Sequence, residues 1–147
     1  MRWIIDAHAH LEDEAFAGNL EEIIARLPQE GVLAVINPGC DYETSKQAVE
    51  MAHEYKNIFA CVGTHPHEAR FYDQDLEDQY RLWADDDRVV AIGEIGLDYH
   101  YDFSPRKKQQ EVFEAQLQLA KDVGLPIVVH TREGPQKLVL KYSDVGI

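Results

Sequence analysis

The sequence predicts an α/β protein built on a parallel sheet, and two observations carry that expectation. Five short apolar runs recur along the 147 residues, each followed by a loop and then by a stretch with helical spacing. The runs are continuous rather than alternating, as expected of strands covered on both faces. The second observation is positional: the reactive side chains fall just after these runs, where parallel α/β folds bind their ligands.

The first run is Trp3 to Ile5, and Leu20, Ile23, Ile24 and Leu27 then follow the spacing of an amphipathic helix that Pro28 and Gly31 close. Val32 to Ile36 is the second run, with Ala48, Val49, Ala52 and Tyr55 marking the next helix. Ile58 to Val62 precedes a third helix marked by Leu76, Tyr80 and Trp83. After Val89 to Ile92, Ser104 is the expected N-cap and Pro105 the first residue of a helix with Phe113, Leu117 and Ala120 as its apolar stripe. Gly124 stops that helix and Pro126 opens the last run, Ile127 to Val129. A weaker helix is expected from about 135 to 142. The alternation calls for right-handed crossovers in one parallel sheet, and residues 1–147 are expected to form a single domain.

Composition narrows the function classes. No apolar run approaches the ~20 residues that span a bilayer, and the N-terminus turns polar too early for a signal peptide. A cytoplasmic location is the expectation, with Cys61 a small buried hydrophobe, Cys40 in a turn, and both thiols reduced. The net charge of −13 leaves no basic stripe; Arg106-Lys107-Lys108 is the one cationic cluster, and it is expected to begin a helix. Broad capture of duplex nucleic acid is disfavoured. Bound metal ions can still supply the positive charge that phosphodiester chemistry needs.

In Asp6-Ala7-His8-Ala9-His10 the two imidazoles are two residues apart, so on an extended strand they project to one side and can share a divalent ion. Asp6 is placed to orient a ligand by accepting a ring N–H, and Asp98 is grouped with it as an orienting carboxylate. Glu94 lies in Gly93-Glu94-Ile95-Gly96-Leu97-Asp98, where glycines let the backbone bend close to a ligand. An unpaired carboxylate directly after an apolar strand is costly, and a carboxylate can bridge two ions. His130 reads either as a metal ligand or as a core histidine bonded to a carbonyl; Arg132 either receives a phosphate or pairs with Glu133. His65 and His67 flank Pro66 and suit substrate contact or proton transfer. His53 and His100 match no constellation; Tyr99 and Tyr101 either line the mouth or pack as aromatics. No Ser-His-Asp or Cys-His pattern stands out, and no Gly-rich loop has the Walker or dinucleotide form.

Together, Asp6-x-His8-x-His10, Gly63-Thr64-His65-Pro66-His67, Gly93-Glu94-Ile95-Gly96-Leu97-Asp98 and Pro126-x-x-x-His130-x-Arg132-Glu133 resemble the TatD family of metal-dependent deoxyribonucleases, within the amidohydrolase-like barrels. The resemblance runs from about residue 4 to 133, and the tail from Gly134 is less family-like. It implies parallel β-α repeats forming the first five units of a TIM (β/α)8 barrel, incomplete in this chain because a whole barrel takes ~250 residues. It implies one or two divalent ions (Zn, Mg or Mn), with His8 and His10 on one, Glu94 bridging and His130 on the other. Glu94 and His65 are the implied catalytic residues, and His65, His67 and Arg132 the implied substrate contacts. The family's later His and Asp have no counterpart before Ile147.

The function so implied is metal-assisted hydrolysis of DNA phosphodiesters, of exonuclease type. The competing readings are a catalytically impaired metal- or partner-binding remnant, and an amidohydrolase-like enzyme acting on a small molecule. Five strands cannot close an eight-stranded barrel, so unpaired edges are expected to be covered or to pair in a homo-oligomer, or to leave a marginally stable fragment.

Overall fold

The structure, a computed structural model, describes residues 2–135. Five parallel strands run in the order β1 (Ile4–Asp6), β2 (Val32–Pro38), β3 (Ile58–Val62), β4 (Val89–Asp98) and β5 (Ile127–Arg132). Spatial order equals chain order, with no point at which the winding reverses. That is how a singly wound barrel grows, whereas a doubly wound sheet reverses its strand order. Among the described residues β1 pairs only with β2 and β5 only with β4.

Helices α1 (Leu20–Arg26), α2 (Tyr42–Glu54), α3 (Gln74–Trp83) and α4 (Arg106–Val123) fill the connections. The main core lies between the sheet and α2 to α4, around Ala48, Val62, Tyr80, Ile92, Leu97, Phe113 and Leu119. A smaller cluster of Leu11, Ile24, Val35 and Ile58 sits toward α1. These side chains explain the continuous apolar runs of β3 and β4, which are almost wholly buried, whereas the edge strands differ from expectation: β1 is exposed and β5 at most half-buried. No described helix is long and apolar enough to cross a membrane.

Several boundaries differ from expectation for identifiable reasons. α2 begins six residues before Ala48, because Asp41 and Thr44 form a reciprocal capping box: the Asp41 carboxylate accepts the Thr44 N–H at 2.8 Å and the Thr44 hydroxyl accepts the Asp41 N–H at 3.1 Å. Ser104 is not an N-cap. Its buried hydroxyl donates to the His67 carbonyl at 2.8 Å and accepts the Arg70 N–H at 3.1 Å, and Pro105 takes the cap position without a side-chain bond. Gly124 does close α4, in the left-handed conformation at φ 72°. Of the weaker helix expected from 135, residues 136–142 lie outside the described residues.

The largest difference is in β4, which runs on through Glu94 to Asp98 instead of ending at Ile92. The glycines expected to let the backbone bend close to a ligand are the condition for pairing. A Cβ on Gly96, whose φ is +148°, would stand 1.8 Å from the His130 carbonyl oxygen, and one on Gly93 would stand 2.6 Å from the Val128 Cβ. β4 and β5 approach so closely that only hydrogen fits, and Gly96 pairs directly with His130. Glu94 and His130 therefore lie inside paired strands rather than in loops.

Gly96→Ala is expected to destabilise the protein by roughly 2–4 kcal/mol, through strain and loss of the β4–β5 ladder. Gly124→Ala also meets a positive φ but has open space around it, so about 1 kcal/mol is expected. Urea unfolding of the two variants checks the contrast; equal losses would show that the contact with His130 is not limiting.

Candidate metal centre

At the carboxyl ends of the strands three segments converge. His8 and His10 lie in the loop after β1, and their Nε2 atoms face each other at 3.1 Å. The Glu94 Oε2 is 3.4 Å from His8 Nε2 and 3.8 Å from His10 Nε2. The other Glu94 oxygen, Oε1, is 3.1 Å from His130 Nδ1. One carboxylate, 8% exposed, thus has one oxygen toward the β1 histidines and the other toward β5.

Backbone bonds hold these groups in place. The Glu94 N–H donates to the Gly39 carbonyl at 2.8 Å and the His65 N–H to the Cys40 carbonyl at 2.8 Å, so the chain just past β2 fixes a residue of β4 and one from the loop after β3. The buried Asn37 side chain accepts the Leu11 N–H at 3.2 Å and anchors the His8–His10 loop. His65 caps a 3-10 helix, Pro66–Phe71, with Pro66 at its first position.

The tautomers follow from the partners. The Glu12 carboxylate accepts from His10 Nδ1 at 3.0 Å, which leaves the Nε2 lone pair of a neutral His10 facing His8 and Glu94. The Asp98 Oδ2 accepts from His130 Nε2 at 2.9 Å, so Nδ1 of a neutral His130 presents its lone pair to Glu94. Without a cation between them, lone pair and carboxylate oxygen repel, which favours a proton in the gap. The hydrogen bond to Glu12 accordingly raises the pKa of His10 against the effect of burial, and the one to Glu94 does the same for His130. Burial pushes the Glu94 carboxyl up, but the His130 hydrogen bond and the neighbouring imidazoles hold it below its ordinary value.

His65 behaves differently. Its Nδ1 accepts the His67 N–H at 3.1 Å, so the neutral ring carries its proton on Nε2 and has no second lone pair for a metal. Burial and the nearby His130 lower its pKa to about 4, which keeps it neutral at pH 7. It is a hydrogen-bond donor packed against His130, with ring centroids 4.3 Å apart.

The donor set fits divalent cations. Around an ion with ~2.1 Å bonds, ligand atoms stand roughly 3.0–3.4 Å apart, close to the separations of 3.1 to 3.8 Å among His8, His10 and Glu94. His65, Glu94 and His130 form a second group whose donor atoms lie within 4.8 Å of one another; because His65 Nδ1 is engaged, its firm members are Glu94 and His130. The outer carboxylates Glu12 and Asp98 orient the rings in the way metal-binding histidines usually require.

The other expected residues fall as follows. Asp6 accepts the backbone N–H of His8 at 3.0 Å rather than a ring N–H, because β1 ends at Asp6 and the chain turns there. Asp98, 1% exposed, is an orienting hub: besides His130 it accepts from His67 Nε2 at 2.9 Å, and its other oxygen takes the His100 and Tyr101 N–H groups at 3.0 and 3.3 Å. His67 Nε2 is thereby committed to Asp98. Glu133 pairs with His100 at 2.9 Å, not with Arg132, whose guanidinium stands 5.1 Å from the Tyr101 ring centroid. His53 bonds to Asp86, away from the centre. Cys40 and Cys61 are both free thiols, and burial pushes each to about 12.

Three supporting residues escaped the sequence reading. Glu12 lies two residues past His10, and its carboxylate could have been grouped with the histidines on that spacing. Gln109 and Gln116 of α4 are fully buried and grip main chain. Gln116 accepts the Thr64 N–H at 2.7 Å and donates to the Thr64 carbonyl at 3.0 Å; Gln109 does the same for Asp98, at 2.9 Å each way. Their signal was present: both fall on the core stripe with Phe113, Leu117 and Ala120, where an amide needs a buried partner.

Consecutive parallel β-α units that bring His-x-His, a strand-borne Glu and a later strand-borne His to one end define a partial TIM barrel with a candidate metal centre at the carboxyl ends of its strands. The family model described as TatD related DNase matches residues 5–144, and the chain belongs to that family. The match continues past Glu133 into the tail that seemed less family-like, because the short motifs end before the family's pattern does. The chain is 40% identical to YabD of Bacillus subtilis, an uncharacterized metal-dependent hydrolase, over 97% of this chain and 56% of that protein. It is 31% identical to the 3′-5′ ssDNA/RNA exonuclease TatD of Salmonella typhimurium, over 93% of this chain and 53% of that protein. Its fold superposes on the crystal structure of YJJV, a TatD homolog from Escherichia coli K12, with a TM-score of 0.84 and 31% identity, over 94% of this chain and 54% of that one. The chain thus spans about half the length of these relatives, and its strands are five units of an incomplete TIM barrel.

Asp98 sets an expected pH response in the metal-free protein. Burial raises its pKa, but hydrogen bonds from His130, Tyr101 and His67 outweigh this and bring it to about 2, against roughly 4 in an unfolded chain. The unfolded state then binds more protons between those values, so stability is complete above about pH 4 and falls on the order of 2 kcal/mol toward pH 2. Asp98→Asn should flatten that limb in urea titrations at stepped pH; an unchanged slope would remove Asp98 as its source.

Proposed function

We propose that the chain serves metal-dependent hydrolysis of phosphodiester bonds in nucleic acid, acting as an exonuclease of the deoxyribonuclease type. The observation that carries this reading is the division of the Glu94 carboxylate between two histidine sets, Oε2 toward His8 and His10 and Oε1 toward His130. A carboxylate so placed suits bridging of two divalent ions. Similarity to proteins named as ssDNA/RNA exonucleases and as metal-dependent hydrolases supports the substrate class.

His8, His10, Glu94 and His130 would hold one or two ions, Zn, Mg or Mn. When bound, such ions make water acidic enough to be a nucleophile and neutralise charge on the reacting phosphoryl group. His65 holds a proton on Nε2 beside the centre, placed to donate to a phosphoryl oxygen; being neutral at pH 7, it does so as a hydrogen-bond donor. Glu12 and Asp98 keep the lone pairs of His10 and His130 aimed inward, and Asp6 fixes the His8 backbone. Arg132 supplies a cation for a phosphate next to the reacting one, and His67, with Nε2 bound to Asp98, has only Nδ1 left for substrate.

The test is direct. The full chain is assayed for bound metal, then given a 3′-labelled single-stranded oligonucleotide with Mg²⁺, Mn²⁺ or Zn²⁺. Cleavage is expected, and Glu94→Ala should lower it by roughly 100-fold or more, beyond the usual cost of losing an outer partner. Metal binding without cleavage would replace this reading with that of a metal-binding remnant. Equal cleavage by Glu94→Ala would trace the activity to a contaminant.

A further inference from the structure

Beside the metal centre the rim carries aromatic rings that the core does not use. Tyr101 and Phe103 are 50% and 53% exposed, yet their rings are stacked, with centroids 5.4 Å apart and planes 11° from parallel. Single exposed apolar residues are ordinary. An ordered stack facing water is not, and the surroundings hold it in place. Between the two rings Asp102 adopts a left-handed backbone, φ 48°, and Arg106 grips both its oxygens at 2.8 Å. Arg70 donates to the Phe103 carbonyl at 2.7 Å.

The stack is continuous with the metal centre. The His67 ring lies edge-on to Tyr101 and Phe103 at 5.8 and 4.9 Å, and its Nε2 bonds to the same Asp98 oxygen that holds His130. Charge is unusual here as well. In a chain of net charge −13, three guanidinium groups stand over rings along this rim: Arg132 at Tyr101 (5.1 Å), Arg106 at Tyr99 (4.5 Å) and Arg70 at Phe71 (4.8 Å), itself 62% exposed. Arg106 is neutralised by Asp102, but among the described residues Arg132 forms no ion pair. Half-exposed rings interleaved with guanidinium groups are the usual surface for unpaired bases and their phosphates.

We propose that the Tyr101–Phe103 stack is the seat of an unpaired nucleobase flanking the scissile phosphodiester, with Arg132 on the adjoining phosphate. The proposal rests on the phosphodiester reading above and adds a source of strand preference. Bases in a duplex are stacked on both faces and paired, so only a single strand can lay one on this platform.

Binding is measured by fluorescence anisotropy in EDTA, using the full chain and labelled single-stranded oligonucleotides that differ only in having abasic residues at the 3′ end. The abasic strand should bind about 5- to 150-fold more weakly. In Tyr101→Leu the two affinities should converge, and in Tyr101→Phe, which keeps the ring, they should remain apart. Arg132→Gln should weaken both strands alike and reduce the salt dependence by about one charge. Equal binding of both strands by the unaltered protein overturns the platform, as does a gap that persists in Tyr101→Leu. Adding metal separates the two ideas: cleavage of both strands with no affinity gap leaves the hydrolase reading standing alone. A gap without cleavage of either strand leaves the platform and removes the hydrolase.

Discussion

Everything in the metal centre is arranged around one buried carboxylate whose side-chain partners, among the described residues, are imidazoles. Glu94 sits in an apolar strand at 8% exposure, where an isolated negative charge would shift its pKa upward and take a proton. Imidazoles from β1 and β5 are its nearest partners, so it stays ionised only in their company. The close approach of β4 and β5, the Gly39 and Cys40 carbonyls and the capped helix at His65 all bring ligands to that oxygen pair. The same carboxylate cannot be satisfied by backbone N–H groups alone, because its own strand spends them in pairing.

The arrangement separates holding from reacting. The inner atoms are lone pairs and a carboxylate that face one another, an unfavourable set unless a proton or a metal ion lies between them. The outer hydrogen bonds, from His10 to Glu12, from His130 to Asp98 and between the α4 glutamines and the Thr64 and Asp98 main chain, gain nothing from a cation, although Glu12 Oε2 is buried without a partner among the described residues. Frustration is thus concentrated at the centre and at the Glu12 oxygen behind it, while the rest of the frame is paired.

Much of this was legible in the sequence. The parallel order followed from continuous apolar runs, and His8, His10, Glu94 and His130 were marked by their position after or within those runs. What could not be read was which bonds span elements. Glycines at 93 and 96 read as room for the backbone to bend toward a ligand, because sequence shows conformational freedom but not the neighbour, here β5, that demands it. Ser104 looked like a cap for the same reason: its hydroxyl serves a helix 34 residues earlier in the chain, at Arg70. Gln109 and Gln116 were hidden by being polar in a helix with a large polar face, although their place on the apolar stripe set them apart. Asp6 was assigned the right neighbour and the wrong atom, since spacing gives proximity and the turn after β1 decides orientation.

The two glutamines of α4 carry a consequence for motion. The amides of Thr64 and Asp98 end not on a neighbouring strand but on side chains of a helix that docks as a unit. Their protection from hydrogen exchange is then set by the free energy of undocking α4, not by fraying of the sheet. The tips of β3 and β4 share one clock. Undocking of α4 frees the Thr64 and Asp98 main chain together, and with Asp98 the carboxylate that accepts from His130, so the centre loses its order in one step rather than residue by residue.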